Sequence, residues 1–89
     1  MTTKEDIRKD ILHRARIIEG HVKKIVSMIE SNEYCIDILN QTFAVQSALR
    51  KMDEVILEDH LKNCVSHKIK AGQGDEAAKE VMEVFKRRG

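Results

Sequence analysis

Apolar residues recur in the first third of the chain at Ile11, Ala15, Ile18, Val22, Ile25 and Ile29, a 4-3-4-3-4 spacing that marks a coiled-coil-like seam. Ile7, Leu12 and Val26 broaden the seam into a core-facing stripe. The pattern predicts a first helix from Thr3 to Asn32. Thr2 and Glu5 resemble a capping box at its start, and Glu5 and Asp6 suit the positive end of the helix dipole. Gly20 falls inside the pattern, where Gly costs about 1 kcal/mol relative to Ala, and is expected to permit close helix contact. Ser31-Asn32-Glu33 is the first break. A second helix is predicted from Glu33 to Lys70, a stretch with neither Gly nor Pro, ended by Ala71-Gly72-Gln73-Gly74. Asp75 is the expected N-cap of a short third helix from Glu76 to Arg87, whose apolar positions are Ala77, Ala78, Val81, Met82 and Phe85. No strand pattern, internal repeat or low-complexity segment is present.

The second helix decides the architecture. At 1.5 Å per residue its 38 or so positions reach roughly 57 Å. A compact globule of this chain length has a radius of gyration of only about 12 Å. One subunit cannot cover so long a helix, so its apolar positions are expected to pack against another chain.

Composition agrees with a single all-α domain spanning residues 1–89. The chain has no Trp, one Tyr and two Phe, so aliphatic side chains must do the packing. Pro is absent and charged residues make up 35%, as in long helices with a solvated face. No window approaches the ~18 apolar residues of a membrane span, and no signal-peptide core is visible, which points to a soluble, cytoplasmic protein. In a reducing compartment the two cysteines are expected to be free thiols, metal ligands or redox sensors. The formal net charge of +1 hides segregation. Residues 1–24 carry seven basic against four acidic side chains, residues 25–65 three against seven, and residues 66–89 six against four. A polyanion would be met by the first helix and the C-terminal end, the alternative being a solvated helix face.

Chemistry concentrates on three residues. His60 and Cys64 are four apart and project from one face of the second helix. Alone, that spacing is equally that of two core or interface residues. Cys35, the other thiol, stands near the start of the same helix, roughly 37 Å from His60 if the helix is continuous. The three cannot share an ion within one subunit. They can share one between two subunits whose second helices pair antiparallel about a two-fold axis near Ala48 and Leu49, where the small residues of Ala44-Val45-Gln46-Ser47-Ala48 permit close approach. Two thiolates and an imidazole form a soft donor set that selects Cu(I) or Zn(II). Structural zinc normally takes four protein ligands, and no fourth stands out, which favours copper with zinc as the competitor.

The segment HRARIIEGHVKKIVSMIESNEYCIDILNQTFAVQSALRK, continuing to EDHLKNCV, closely resembles the CsoR/RcnR family of metal-responsive repressors. The resemblance covers about residues 8–85 and rests on EGH, YCIDIL, AVQSAL and H-L-x-x-C in that order. It implies a three-helix protomer, an antiparallel dimer, and a disc-like homotetramer made of two dimers, with no helix-turn-helix. It also implies that Cys35, His60 and Cys64 are the Cu(I) ligands of the copper-sensing branch. Tyr34 and Glu80 then match outer positions that couple the ligands to the fold, a carboxylate on the far nitrogen of His60 fixing its tautomer. The plain alternative is that Tyr34 packs and Glu80 is solvated. Nickel and cobalt sensors would need further N/O ligands and His in place of Cys64, persulfide sensors lack the imidazole, and formaldehyde sensors lack the second thiol.

The resemblance further implies double-stranded operator DNA as a partner, with Arg14 and Lys51 at basic positions the family uses. Arg8, Lys9, Arg16, Lys23, Lys24 and Arg50 could extend the patch. His13, His21 and His67 are read as surface or DNA-facing, and Met28, Met52 and Met82 as core fillers. The expected function is a Cu(I)-responsive repressor that leaves its operator on binding copper, derepressing copper-resistance genes. A family member sensing another signal and a non-regulatory helical metal-binding assembly are the competing readings. An enzyme is not expected: there is no Cys-x-x-Cys, and no base or cofactor loop accompanies either thiol.

Overall fold

The computed structural model describes residues 4–88 and is helical throughout, with no strand among the described residues. Helix α1 spans Lys4–Glu30 and α2 spans Cys35–Asp59. A π-helical segment follows at His60–Val65, then α3 at Ser66–Lys70 and α4 at Gly74–Arg88. The backbone stays helical from Cys35 to Lys70, so the predicted long second helix exists, but with a π turn inside it. The expected capping box includes Thr2 and lies outside the described residues. By internal packing the chain divides into two compact units, Met1–Ile56 and Leu57–Gly89.

The first unit is a helical hairpin. Its α1 ends in a Schellman turn: Glu33 N–H donates to Met28 O at 3.0 Å and Asn32 N–H to Ile29 O at 3.1 Å. Asn32 takes the left-handed conformation this turn requires (φ 55°), which Asn tolerates better than most side chains. Tyr34 then caps α2 through its carbonyl, which accepts from the N–H groups of Asp37 and Ile38. Ile18, Ile25 and Val45 form the core, with Ile38, Ala48 and Met52 packed against it.

The buried and half-buried positions of α1 are Ile7, Ile11, Arg14, Ala15, Ile18, His21, Ile25 and Met28, which apart from Ala15 form a regular 4-3-4-3-4-3 series. Four of the predicted seam positions, Ile11, Ala15, Ile18 and Ile25, lie on this face, and the other two are corrected. Val22 and Ile29 are exposed in the single chain, as are Leu12 and Val26. Two apolar heptad series run side by side on α1, and α2 covers only one of them. A Cβ at Gly20 would meet nothing within 4 Å, so no close contact inside the chain depends on it.

In the second unit, α3 closes with another Schellman turn. Gln73 N–H donates to Lys68 O at 2.7 Å and Gly72 N–H to Ile69 O at 3.1 Å, with Gly72 at φ 81°. The chain reverses so tightly that α4 begins at Gly74, with the Gln73 carbonyl accepting from Ala77 N–H at 3.1 Å. Asp75 therefore stands in the first turn rather than at the N-cap. Ala77 is fully buried, and a Cβ at Gly74 would lie 3.4 Å from the side chain of Ile69. Met82 is exposed, against the expectation of a core filler.

The π segment is bracketed by side-chain bonds. Asn63 Nδ2 donates to Asp59 Oδ1 at 2.8 Å, and Asp59 is only 5% exposed. Ser66 Oγ donates to the Leu61 carbonyl, five residues back, at 3.3 Å. Single π turns inside α-helices are uncommon and are often found at functional sites.

Candidate metal centre and nucleic-acid interface

His60 and Cys64 both lie in the π turn, each half-buried. With i→i+5 hydrogen bonding the residue one turn above His60 falls between Cys64 and Val65, so the imidazole and the thiol still share a face. Cys35 is the first residue of α2 and is exposed, and both cysteines are free thiols. Tyr34, immediately before it, is also exposed. Within one chain the described residues bring together no group of three or more His, Cys, Asp or Glu side chains that could hold a metal ion.

Glu80 projects from α4 and is engaged by Lys68 of α3, whose Nζ donates to its Oε1 at 2.8 Å. The hydrogen bond and charge of Lys68, with a lesser contribution from the His60 charge, hold the Glu80 carboxyl below its ordinary value. The same hydrogen bond raises the Lys68 ammonium above its own, against some desolvation. This partner was absent from the sequence reading. The two residues are twelve apart across a reversing turn, a separation no helical periodicity flags. The Asp59–Asn63 bond was also missed, though an acidic residue and an amide four apart on a helix are a recognisable pair.

The basic candidates fall into two groups. Arg8, Lys9, Arg16, Lys23, Lys24 and Arg50 are exposed, and Lys9, Arg16 and Lys23 recur every seven residues along one stripe of α1. Arg14 and Lys51 are tied locally, Arg14 Nε donating to Asp10 at 3.0 Å and Lys51 Nζ lying 3.5 Å from Glu54. His21 departs from expectation. It is half-buried in the hairpin, with Nε2 2.7 Å from Gln41 Oε1, while His13 and His67 are exposed. No described helix is long and apolar enough to cross a membrane.

Comparison with known proteins places this geometry in a defined group. The sequence model of the metal-sensitive transcriptional repressors matches residues 7–87. The chain is 44% identical over 80 residues to the copper-sensing transcriptional repressor CsoR of Bacillus subtilis, covering 90% of this chain and 79% of that protein. With CsoR of Mycobacterium tuberculosis H37Rv the identity is 37% over 79 residues, covering 89% of this chain and 66% of the relative. The crystal structure of the copper-sensing repressor CsoR with Cu(I) from Geobacillus thermodenitrificans NG80-2 superposes with a TM-score of 0.88 at 44% identity. That match covers 96% of this chain and 88% of the other.

Proposed function

The chain belongs to the family of metal-sensitive transcriptional repressors, and from that premise we propose that it is a Cu(I)-responsive repressor, bound to operator DNA when metal-free and released by copper. The observation that carries the copper assignment is the donor set: two free thiols and an imidazole, His60 and Cys64 sharing one π turn. Soft sulfur donors in a low coordination number suit Cu(I) better than the harder divalent ions.

Cys35 of one subunit, with His60 and Cys64 of another, would hold the ion. One chain does not gather three such donors, and the uncovered stripe of Leu12, Val22, Val26 and Ile29 supports a second copy, since large apolar patches mark association surfaces. A homodimer assembling to a homotetramer follows, with residues 1–89 acting as one cytoplasmic sensor domain. Held there, Cu(I) would supply a soft acceptor shared by donors of two subunits. Cys35 and Cys64 must ionise to serve, so protons are released on loading. The imidazole of His60 would give one nitrogen to the ion and leave its other N–H for an acceptor. Glu80 is the carboxylate assigned to that N–H, with Tyr34 beside Cys35 at the opposite end of the shared site.

On DNA, Arg14 and Lys51 are the central phosphate contacts, with Arg8, Lys9, Arg16, Lys23, Lys24 and Arg50 extending the field. Copies of this patch around an oligomer would make binding strongly salt-dependent. Release requires that the metal bind the free protein better than the DNA-bound one, since coupling between two sites is reciprocal. The test selects a duplex from a random pool with the metal-free protein, then titrates it anaerobically with and without Cu(I). Loss of affinity of about 5–150-fold on copper loading is expected. Equal affinity in both states would overturn the reading.

A further inference from the structure

Three of the ion pairs join residues three or four apart on one helix: Arg14–Asp10, Lys51–Glu54 and Lys62–Glu58. Such pairs add little beyond local helix stability. Lys68–Glu80 is of another kind, because it joins α3 to α4 across twelve residues through a 2.8 Å hydrogen bond. It lies in the unit that also carries His60 and Cys64, and Lys68 follows Cys64 by four residues. Glu76, one turn before Glu80, adds a second negative charge that favours the ammonium.

Glu80 thus has two claimants. Lys68 holds it by a hydrogen bond, and His60 acts on it through charge alone. An imidazole N–H that is to be fixed by a carboxylate needs a free oxygen lone pair at the right angle. The second carboxylate oxygen stays able to accept, so an ammonium seated on Oε1 opposes the transfer by fixing the side-chain rotamer and by drawing on the carboxylate's charge.

We propose that Lys68 is a positioning residue: it parks Glu80 against α3 in the metal-free protein and sets how readily Glu80 passes to His60 when copper is bound. The inference rests on the Glu80–His60 coupling proposed above. Its sign follows from which states contain the pair. On this proposal the metal-free protein keeps the pair, and the copper-loaded, DNA-free protein gives it up. Lys68 therefore lowers the affinity of the free protein for Cu(I) and raises the copper concentration at which the operator is released. Lys68 and Glu80 are 32% and 52% exposed, which confines the effect to a modest factor.

The experiment measures Cu(I) affinity of the full chain, free of DNA, by competition with a chromogenic Cu(I) chelator, beside the carboxylate carbon resonance of Glu80 in the metal-free protein. Lys68→Met should tighten copper binding about two- to five-fold, the range of an exposed ion pair. Lys68→Arg should restore the wild-type value, and Lys68→Met should change nothing in a Glu80→Gln background. The Glu80 resonance should move in metal-free Lys68→Met and remain near wild type in Lys68→Arg. Unchanged copper affinity in Lys68→Met, or equal tightening with and without Glu80, overturns the inference. If copper fails to release the selected duplex from the wild type, the functional reading falls. If release is normal and Lys68→Met is silent, this inference falls alone.

Discussion

Neighbouring residues on α1 separate the hairpin core from the stripe proposed for association. Ile25 is 9% exposed and belongs to the hairpin core, whereas Val26, one position on, is 48% exposed and belongs to the uncovered stripe. Ile25→Ala should destabilise the subunit itself by about 2–5 kcal/mol, the range for a large core side chain cut to Ala. Val26→Ala removes two methyl-sized groups worth about 0.8 kcal/mol each when fully buried. Because Val26 is already about half covered within its own chain, only ~0.8 kcal/mol remains to be gained when a second copy seats on it. A two-fold interface contains the residue twice, so the dimer dissociation constant should rise roughly 15-fold. The better helix propensity of Ala, up to about 0.5 kcal/mol, is present in free and associated subunits alike and cancels from that constant. Sedimentation over a dilution series reads the association, and urea unfolding at fixed protein concentration reads the fold. An unchanged dissociation constant in Val26→Ala would remove the exposed stripe from the interface and refute the reasoning.

Mixing Cys35→Ala chains with His60→Ala/Cys64→Ala chains should rebuild one tight Cu(I) site per mixed dimer, or roughly one per four chains after random exchange. No recovery of tight binding would contradict ligation across subunits. Lys51→Ala and Arg14→Ala should each weaken binding to the selected duplex and lower the salt slope by about one, with Cu(I) binding retained. Unchanged slopes would take both residues off the DNA-facing surface. The Lys68–Glu80 tie should hold α4 over a wide pH range. Because the Glu80 carboxyl is depressed, its contribution is present above the ordinary value of 4.5 and is lost as pH falls through the lower folded value. Because the Lys68 ammonium is raised, its contribution is full below 10.5 and is lost as pH rises through the higher folded value. Amide exchange in α4 that accelerates at neither extreme relative to Lys68→Met would disprove the tie.

The helix boundaries were legible because their signals are local. Asn32 and Gly72 accept left-handed backbone, and each terminates its helix where the hydrophobic pattern stops. Resemblance located the candidate ligands, and the i, i+4 spacing of His60 and Cys64 survives the change from α to π geometry. The α1 core was legible at Ile11, Ala15, Ile18, Ile25 and Met28, but not the exposure of Val22 and Ile29. Ile25 and Val26 differ by one methylene and one position, and hydrophobicity does not say which stripe α2 covers and which it leaves. The π turn had no sequence mark either. It rests on Asp59, Asn63, Leu61 and Ser66 acting together, groups that also serve ordinary helix surfaces. Glu80 was found by resemblance, but its present partner was not, since the reversal at Gly72 sets that contact rather than any spacing.

The π turn at His60–Val65 also bears on which changes in chain length this protein can absorb. A π turn is an α-helix carrying one surplus residue. Deleting a residue between His60 and Ser66 would leave a plain α-helix with every backbone bond still made, so the local fold would survive. Because the wider π turn spreads nearly the same rotation over one more residue, the residues downstream would keep the face they had. Lys68 would still meet Glu80, and Ile69 would still face Gly74. Deletion is thus unequal along this stretch: inside the π turn it keeps both the backbone bonds and the alignment, while in the plain α geometry on either side it keeps the bonds and swings everything beyond by about 100°.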